Sequence, residues 1–416
     1  MKKNLWYFIF LLFFILLFFD AVKFNLGLTF RLAQPFILGL FILVIINDLR
    51  KKTLNIPLLL FLFGSGIILT FISLNSIHEK IYEYKFIIKY LTLFPASFYL
   101  GYKIFSFINI KEFLKIIETS AIVHSLIALI FYFYPISFLM HERGALTGYQ
   151  GTFWESTGLG ATIGLFFLIS ISLRYEFKIN FKNYIYAVLF YIFLLYTIVM
   201  TKSKTFWMGL SVITIYIIIF KPILLFLNYQ KLYRYKFFQK FQSNLPTLAK
   251  LKTVVLTFSF IFIAMLFFII NSTMENPIVS KEMIETKLQH ERGKALITAL
   301  NLLSDSNWLG GYGWGFVESY FNTHNIDILG LGGDVGMMFN SYLNEWISVG
   351  ILGLIFHIVL LILAFSNRYL FTSIVPIYLF VSANVHPIVG GETYYLFLGL
   401  SYGFKKYMEN REIENA

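Results

Sequence analysis

About a dozen times along the chain a run of Phe, Ile, Leu and Val continues for roughly the thickness of a bilayer, which a helix of about 20 apolar residues crosses. Inside hydrocarbon every backbone N–H and C=O must be satisfied within a helix or a closed barrel. The runs are continuous rather than alternating, so a transmembrane β-barrel is excluded. Composition agrees: 58% of the residues are hydrophobic and 13% charged. A soluble protein carries about a quarter charged residues. The expected fold is an all-α, polytopic transmembrane helix bundle, one integral membrane domain over residues 1–416.

The runs predict about 12 spans, over residues 5–19, 30–46, 56–74, 86–108, 114–138, 157–173, 184–200, 205–227, 253–270, 340–365, 369–385 and 393–404, with a polar tail after the last. Lys2 and Lys3 before the first run imitate a signal peptide. Phe18, Phe19 and Asp20 offer no small-residue cleavage site, so the run is expected to stay as a span. Charge sets the orientation. With both termini cytoplasmic, each inside loop carries Lys or Arg, most strongly over residues 174–182 and 221–252. The loops at 141–156, 201–204, 271–339 and 386–392 then emerge together on the outer face. The expected location is the cell inner (cytoplasmic) membrane.

Cysteine is absent, which excludes disulfides, thiolate metal sites and a cysteine nucleophile. The net charge of +12 is accounted for by cytoplasmic loops, so no nucleic-acid partner is expected. Of the histidines, His124 and His357 fall inside spans, where bonding between helices is the plain reading. No His pair has zinc-ligand spacing on one helix, and no metal or cofactor is expected.

The longest polar interval is the loop at 271–339, and the chemistry is expected there. Its apolar positions from Ile284 to Leu303 recur at a helical period, predicting an amphipathic helix over the bundle mouth. Gly310-Gly311-Tyr312-Gly313-Trp314-Gly315 cannot continue a helix and must form a tight turn dressed with aromatic rings. No βαβ context surrounds these glycines, so they are not a nucleotide loop. Tyr312 and Trp314 are candidates for stacking on sugar, with ordinary interfacial aromatics as the alternative. On the outer face Arg143, Lys202, Lys204 and Arg292 break the charge trend, and Glu142 and Glu291 adjoin the two arginines. Converging cations of this kind hold phosphate oxygens, the guanidinium fork bidentately.

Several of these pieces come in a recognisable order. Gly151-Thr152-Phe153, Thr201-Lys202-Ser203-Lys204, Arg292, Trp308-Leu309-Gly310, then Asn340-x-Tyr342-Leu343, Glu345 and Gly350-Ile351-Leu352-Gly353 resemble the signature of the O-antigen polymerase/O-antigen ligase superfamily. The resemblance covers roughly residues 143–353, half of the chain. Phe339 stands where the ligases carry histidine, which favours the polymerase branch. Lys204 stands where the family has arginine, which keeps a cation and loses the fork.

The resemblance implies a GT-C-like membrane glycosyltransferase with residues 271–339 as its extracytoplasmic catalytic loop. Its substrate would be an undecaprenyl-diphosphate-linked oligosaccharide, polymerised into O-antigen or capsule without a metal. A chain-length regulator and the bilayer would be its partners. Arg143, Lys204 and Arg292 would bind the diphosphate, with Lys202 and Glu142 beside them. Asn340 and Tyr342, at the re-entry into the membrane, would help bind the substrate. The hydroxyl must also lose a proton. Glu142, Glu155, Glu291, His324 and Asp334 all lie outside by the expected topology. Arginine neighbours make Glu142 and Glu291 poorer bases, which leaves Asp334 or His324. Transfer to lipid or protein, and transport of a lipid-linked sugar, are the rival functions.

Overall fold

The computed structural model describes residues 2–19, 23–25, 29–75, 83–134, 156–179, 181, 184–222, 298–304, 311–317, 320, 340–385 and 391–414. Twelve α-helices carry these residues: α1 (Lys2–Leu16), α2 (Ala33–Lys51), α3 (Ile56–Leu74), α4 (Glu83–Ile88), α5 (Phe94–Lys103), α6 (Ile110–Phe133), α7 (Ser156–Phe177), α8 (Tyr184–Met200), α9 (Lys204–Ile215), α10 (Ser341–Ala364), α11 (Leu370–Val385) and α12 (Glu392–Glu414). A π-helical turn, Lys89–Leu93, joins α4 to α5, and another, Tyr216–Phe220, extends α9. The contacts divide the chain into Met1–Gly209 with Ala295–Ala416, described below, and Leu210–Lys294, of which only residues 210–222 are described.

Five helices, α2, α3, α6, α7 and α10, are long and apolar enough to cross a membrane, and four shorter helices are apolar as well. Phe8, Leu60, Ile67, Phe71, Ile185 and Ile362 point outward and are exposed. In water such a surface would aggregate; against lipid tails it is at home. The arrangement is that of a membrane helix bundle. Two details add to the all-α expectation. Lys23–Asn25 and Thr29–Arg31 pair as a short antiparallel ribbon. The polar tail after residue 404 continues as helix to Glu414, where Lys406 pairs with Glu409 one turn on and Tyr369 and Arg368 both reach Glu412. The ninth expected span, 253–270, lies outside the described residues.

Local chemistry starts several helices. Asn55 accepts from the Leu58 N–H and Pro57 occupies the first turn of α3, where no N–H is needed. Asn109 and Glu112 form a reciprocal capping box on α6.

At the centre α5 and α12 lie side by side and parallel. Phe94 stacks on Tyr395 at 4.1 Å, and Phe105 meets Phe404 and Tyr407 further along. A Cβ on Gly399 would sit 2.0 Å from the Phe98 carbonyl oxygen, so only glycine permits this approach. Close backbone contact is how helices gain dispersion energy in a medium as apolar as their own side chains. The parallel pair defines two ends of the bundle.

At one end a buried ion pair, Lys103 with Asp48 at 2.9 Å, ties α5 to α2, and Tyr99 donates to the same carboxylate at 2.8 Å. Arg174 grips Glu118 through two nitrogens, each at 2.7 Å. Trp6 packs on Phe107 here, so the first and last helices place residues 6 and 412 at the same end. Tyr369, in the corner before α11, has its phenol pushed up to about 12 by burial and by the bond it donates to Glu412. At the opposite end lie Gln34, Tyr90, Ser73, Asn340 and Glu392, together with the turn at 311–315.

Candidate functional site

Helix α10 is not one straight rod, and its break creates the site. Val349 (φ −124°, ψ 18°) and Gly350 (φ 71°, ψ −168°) are non-helical. In a continuous helix residues 342 and 357 would be about 22 Å apart. The Tyr342 and His357 rings are 6.4 Å apart. The first segment therefore folds back along the second, and a Cβ on Gly353 would lie 3.3 Å from the Glu345 carbonyl oxygen. The expected span over 340–365 is corrected to an elbow of two helical segments, because Gly350 adopts a left-handed φ that interrupts the backbone ladder.

A broken helix leaves carbonyls without partners, and in a membrane these must be satisfied elsewhere. The turn at 311–315 does this. Tyr312 N–H donates to the Ile347 carbonyl at 2.8 Å and Gly313 N–H to Ser348 at 2.7 Å. Gly311, Gly313 and Gly315 all have positive φ. A Cβ on Gly311 would fall 2.5 Å from the Gly350 nitrogen, so turn and elbow fit backbone to backbone. Ala299, Leu303, Val317 and Ile347 bury a small apolar cluster that fastens the flanking loop to the first half of the elbow.

Trp314 is the plug of this joint. Its backbone N–H donates to Ser73 Oγ at 2.9 Å, its ring stacks on Tyr90 at 4.4 Å, and its indole N–H faces Glu345 Oε2 at 3.4 Å. Behind it lies His357, with Nε2 4.0 Å from the same carboxylate and 3.2 Å from the Tyr90 hydroxyl. Tyr342 and Tyr394 pair through their hydroxyls at 3.2 Å, and Tyr394 and Tyr395 pack their rings on His357. Glu345 and His357 are both buried, and His357 Nδ1 has no hydrogen-bond partner among the described residues. An ionisable pair inside a membrane bundle marks function more often than stability.

A second charged group stands at the same end. Glu392, heading α12, bonds to the Gln34 amide. Burial pushes its carboxyl up, but Lys89 and Arg31, with hydrogen bonds from Gln34 and its own backbone, outweigh burial and hold it below the usual range.

The corner at 201–204 is tightly packed. Thr201 and Ser203 are buried against Gly160, where a Cβ would lie 2.1 Å from Thr201 Oγ1. Lys202 takes a left-handed φ of 51°, strain of about 1 kcal/mol for a side chain of this kind. The result is that Lys202 and Lys204 are both exposed.

Several expected site residues are placed differently from their expected roles. Trp314, a candidate for stacking on sugar, and Tyr342, a candidate for substrate binding, are both buried, Trp314 under the turn and Tyr342 against Tyr394 and Phe380. Tyr312 is half-buried, stacked on Phe316 at 4.3 Å and bonded to the Leu302 carbonyl. Asn340 caps α10 through Leu343 N–H and binds Asn384, so its amide is structural at its own helix end. Arg143, Arg292, His324, Asp334 and Glu142 lie outside the described residues. Sequence reasoning left Glu345 without a role and gave His357 an ordinary one. A carboxylate twelve residues before a histidine inside an apolar run was the available signal. Among the described residues no three His, Asp or Glu side chains form a group able to hold a metal ion. No protein-family model matches the sequence, and no curated protein does.

Proposed function

We propose that the chain is a GT-C-like membrane glycosyltransferase that polymerises polyprenyl-diphosphate-linked oligosaccharide repeat units on the outer face of a cytoplasmic membrane. One observation carries the reading most. The glycine-aromatic turn and the Asn340-to-Gly353 segment, far apart in sequence, interlock backbone to backbone at the elbow of α10. These are the segments in which the resemblance to the polymerase/ligase superfamily resides. Their union gives those glycines a common purpose: to seat the large polar loop on the bundle. Lys202 and Lys204 face outward from a tightly packed corner, as diphosphate-binding cations must.

In this reading the donor's C1–phosphate bond breaks while an acceptor hydroxyl of the incoming unit attacks C1. Arg143, Arg292 and Lys204 stabilise the departing diphosphate. The experiment is reconstitution of the purified protein with a polyprenyl-diphosphate-linked repeat unit. A ladder of longer chains is expected from wild type and none from Arg143→Ala or Arg292→Ala recovered intact in the membrane. Ladders of wild-type length from both variants would overturn the assignment of roles.

A specific observation favours a second reading, a proton-coupled transporter of lipid-linked sugars. Broken helices with buried ionisable groups mark transporter binding sites, and α10 has both, in Glu345 and His357. Vesicles discriminate: gradient-dependent movement of an unlengthened repeat unit would support the transporter.

A further inference from the structure

Resting on the polymerase reading, we propose that Glu345 is the general base of the transfer, that His357 takes the proton on from it, and that the Trp314 indole occupies the place of the acceptor sugar ring. Trp314 is held as a bound sugar would be: a flat ring stacked on Tyr90, with one polar hydrogen aimed at a carboxylate. At 3.4 Å the indole contact is longer than a normal N–H···O bond. A sugar hydroxyl meeting the same carboxylate oxygen would close to about 2.7 Å, the usual O–H···O distance. Withdrawal of the turn breaks the bonds from the backbone N–H groups of Tyr312, Gly313 and Trp314 and bares a pocket of Ser73, Tyr90, Glu345 and Tyr395.

The choice of base follows from charge. Among the described residues the other carboxylate at this end, Glu392, is faced by Lys89 and Arg31 and bonded by Gln34, so its proton affinity is suppressed. The described neighbours of Glu345 are the uncharged rings of Trp314, Tyr90, Tyr394 and Tyr395, and His357. Glu345 is also the carboxylate that the Trp314 indole N–H faces, so a hydroxyl held in the place of the indole would meet it directly.

The step balances. Glu345 Oε2 takes the hydroxyl proton as the acceptor oxygen forms its bond to C1 of the donor. The C1–O bond to phosphate breaks, and its electron pair leaves on the polyprenyl diphosphate. The proton passes from Oε2 through the Tyr90 hydroxyl, which bonds to Glu345 and lies 3.2 Å from His357 Nε2, to the imidazole, and ends on the released diphosphate or in solvent.

A residue that only anchors the turn would behave differently, and glutamine tells the two apart because it keeps an oxygen for the indole N–H. In the reconstituted system Glu345→Gln is expected to lower kcat about 100-fold or more, with the acceptor KM nearly unchanged, and Glu345→Asp to restore part of the rate. Trp314→Phe, a smaller occupant lacking the N–H, is expected to lower the acceptor KM. If Glu345→Gln is not recovered in the membrane, His357→Gln takes its place, with kcat expected to fall about tenfold at constant KM. Near-wild-type kcat in Glu345→Gln, or in His357→Gln when it stands in, or loss of activity in a folded Trp314→Phe, would overturn the proposal. Absence of any polymer from wild type would instead refute the polymerase reading on which it rests.

Discussion

Gly311→Ala tests the interlock between turn and elbow. The new methyl would lie 2.5 Å from the Gly350 nitrogen and 2.6 Å from the Ser348 oxygen, both backbone atoms that cannot swing aside. Alanine at φ +67° adds about 1 kcal/mol of strain. Overpacking against backbone adds about 1–3 kcal/mol more, also in the closed state alone. The sum, about 2–4 kcal/mol, corresponds to roughly a 100-fold increase in the opening of the turn, which breaks the bonds from Tyr312 and Gly313 N–H. Hydrogen exchange of the wild-type and variant proteins in micelles reads this directly at the Tyr312 and Gly313 amides. Trp314, buried in the wild type, should also become accessible to an aqueous quencher. The first half of α11, away from the turn, should exchange at its wild-type rate. Unchanged protection of both amides together with an unchanged Trp314 signal would show that the close backbone fit does not hold the turn.

Three other outcomes follow from the same structure. Asp48→Ala leaves Lys103 buried without its counter-charge and should cost about 3–5 kcal/mol, seen as a lower midpoint of thermal unfolding in micelles. Tyr369 has its pKa raised from 10.0 to about 12 in the fold, so its contribution is complete below pH 10 and is lost as the pH rises through 12. Tyr369→Phe should therefore show a shallower loss of stability than wild type between those values in alkaline unfolding curves. Replacing Lys202 and Lys204 by glutamate should weaken binding of a polyprenyl diphosphate about tenfold or more while leaving the melting temperature unchanged, since both side chains are exposed.

Much of the bundle was legible because a bilayer leaves hydropathy few alternatives. The runs at 56–74 and 184–200 have the same bounds as α3 and α8. The polar corners that charge assigned to one face, such as 201–204 and the start of α12, fall at one end of the bundle. The glycine-rich turn was legible too, because no other residue tolerates three positive φ angles in five positions. The elbow was not. Residues 345–357 read as unbroken apolar helix, and Gly350 takes its left-handed φ only where a distant turn supplies donors for the freed carbonyls. For the same reason Glu345 and His357, three turns apart on a straight rod, looked unrelated. From sequence Trp314 is a candidate for sugar stacking or for an interfacial belt, because a sequence carries no measure of how deeply a turn is inserted.

The parallel contact between α5 and α12 also has a consequence for biosynthesis. Gln34 is synthesised 358 positions before its partner Glu392, and Phe94 about 300 before Tyr395. Translation proceeds at about 5–20 residues per second, so the earlier helices wait on the order of half a minute, already inserted, with a groove open along α5. Among the described helices α12 is the one that fills this groove, and it acts as a keystone. Quality control in the membrane must therefore tolerate, for that interval, a half-assembled protein whose polar amide still faces lipid or a chaperone.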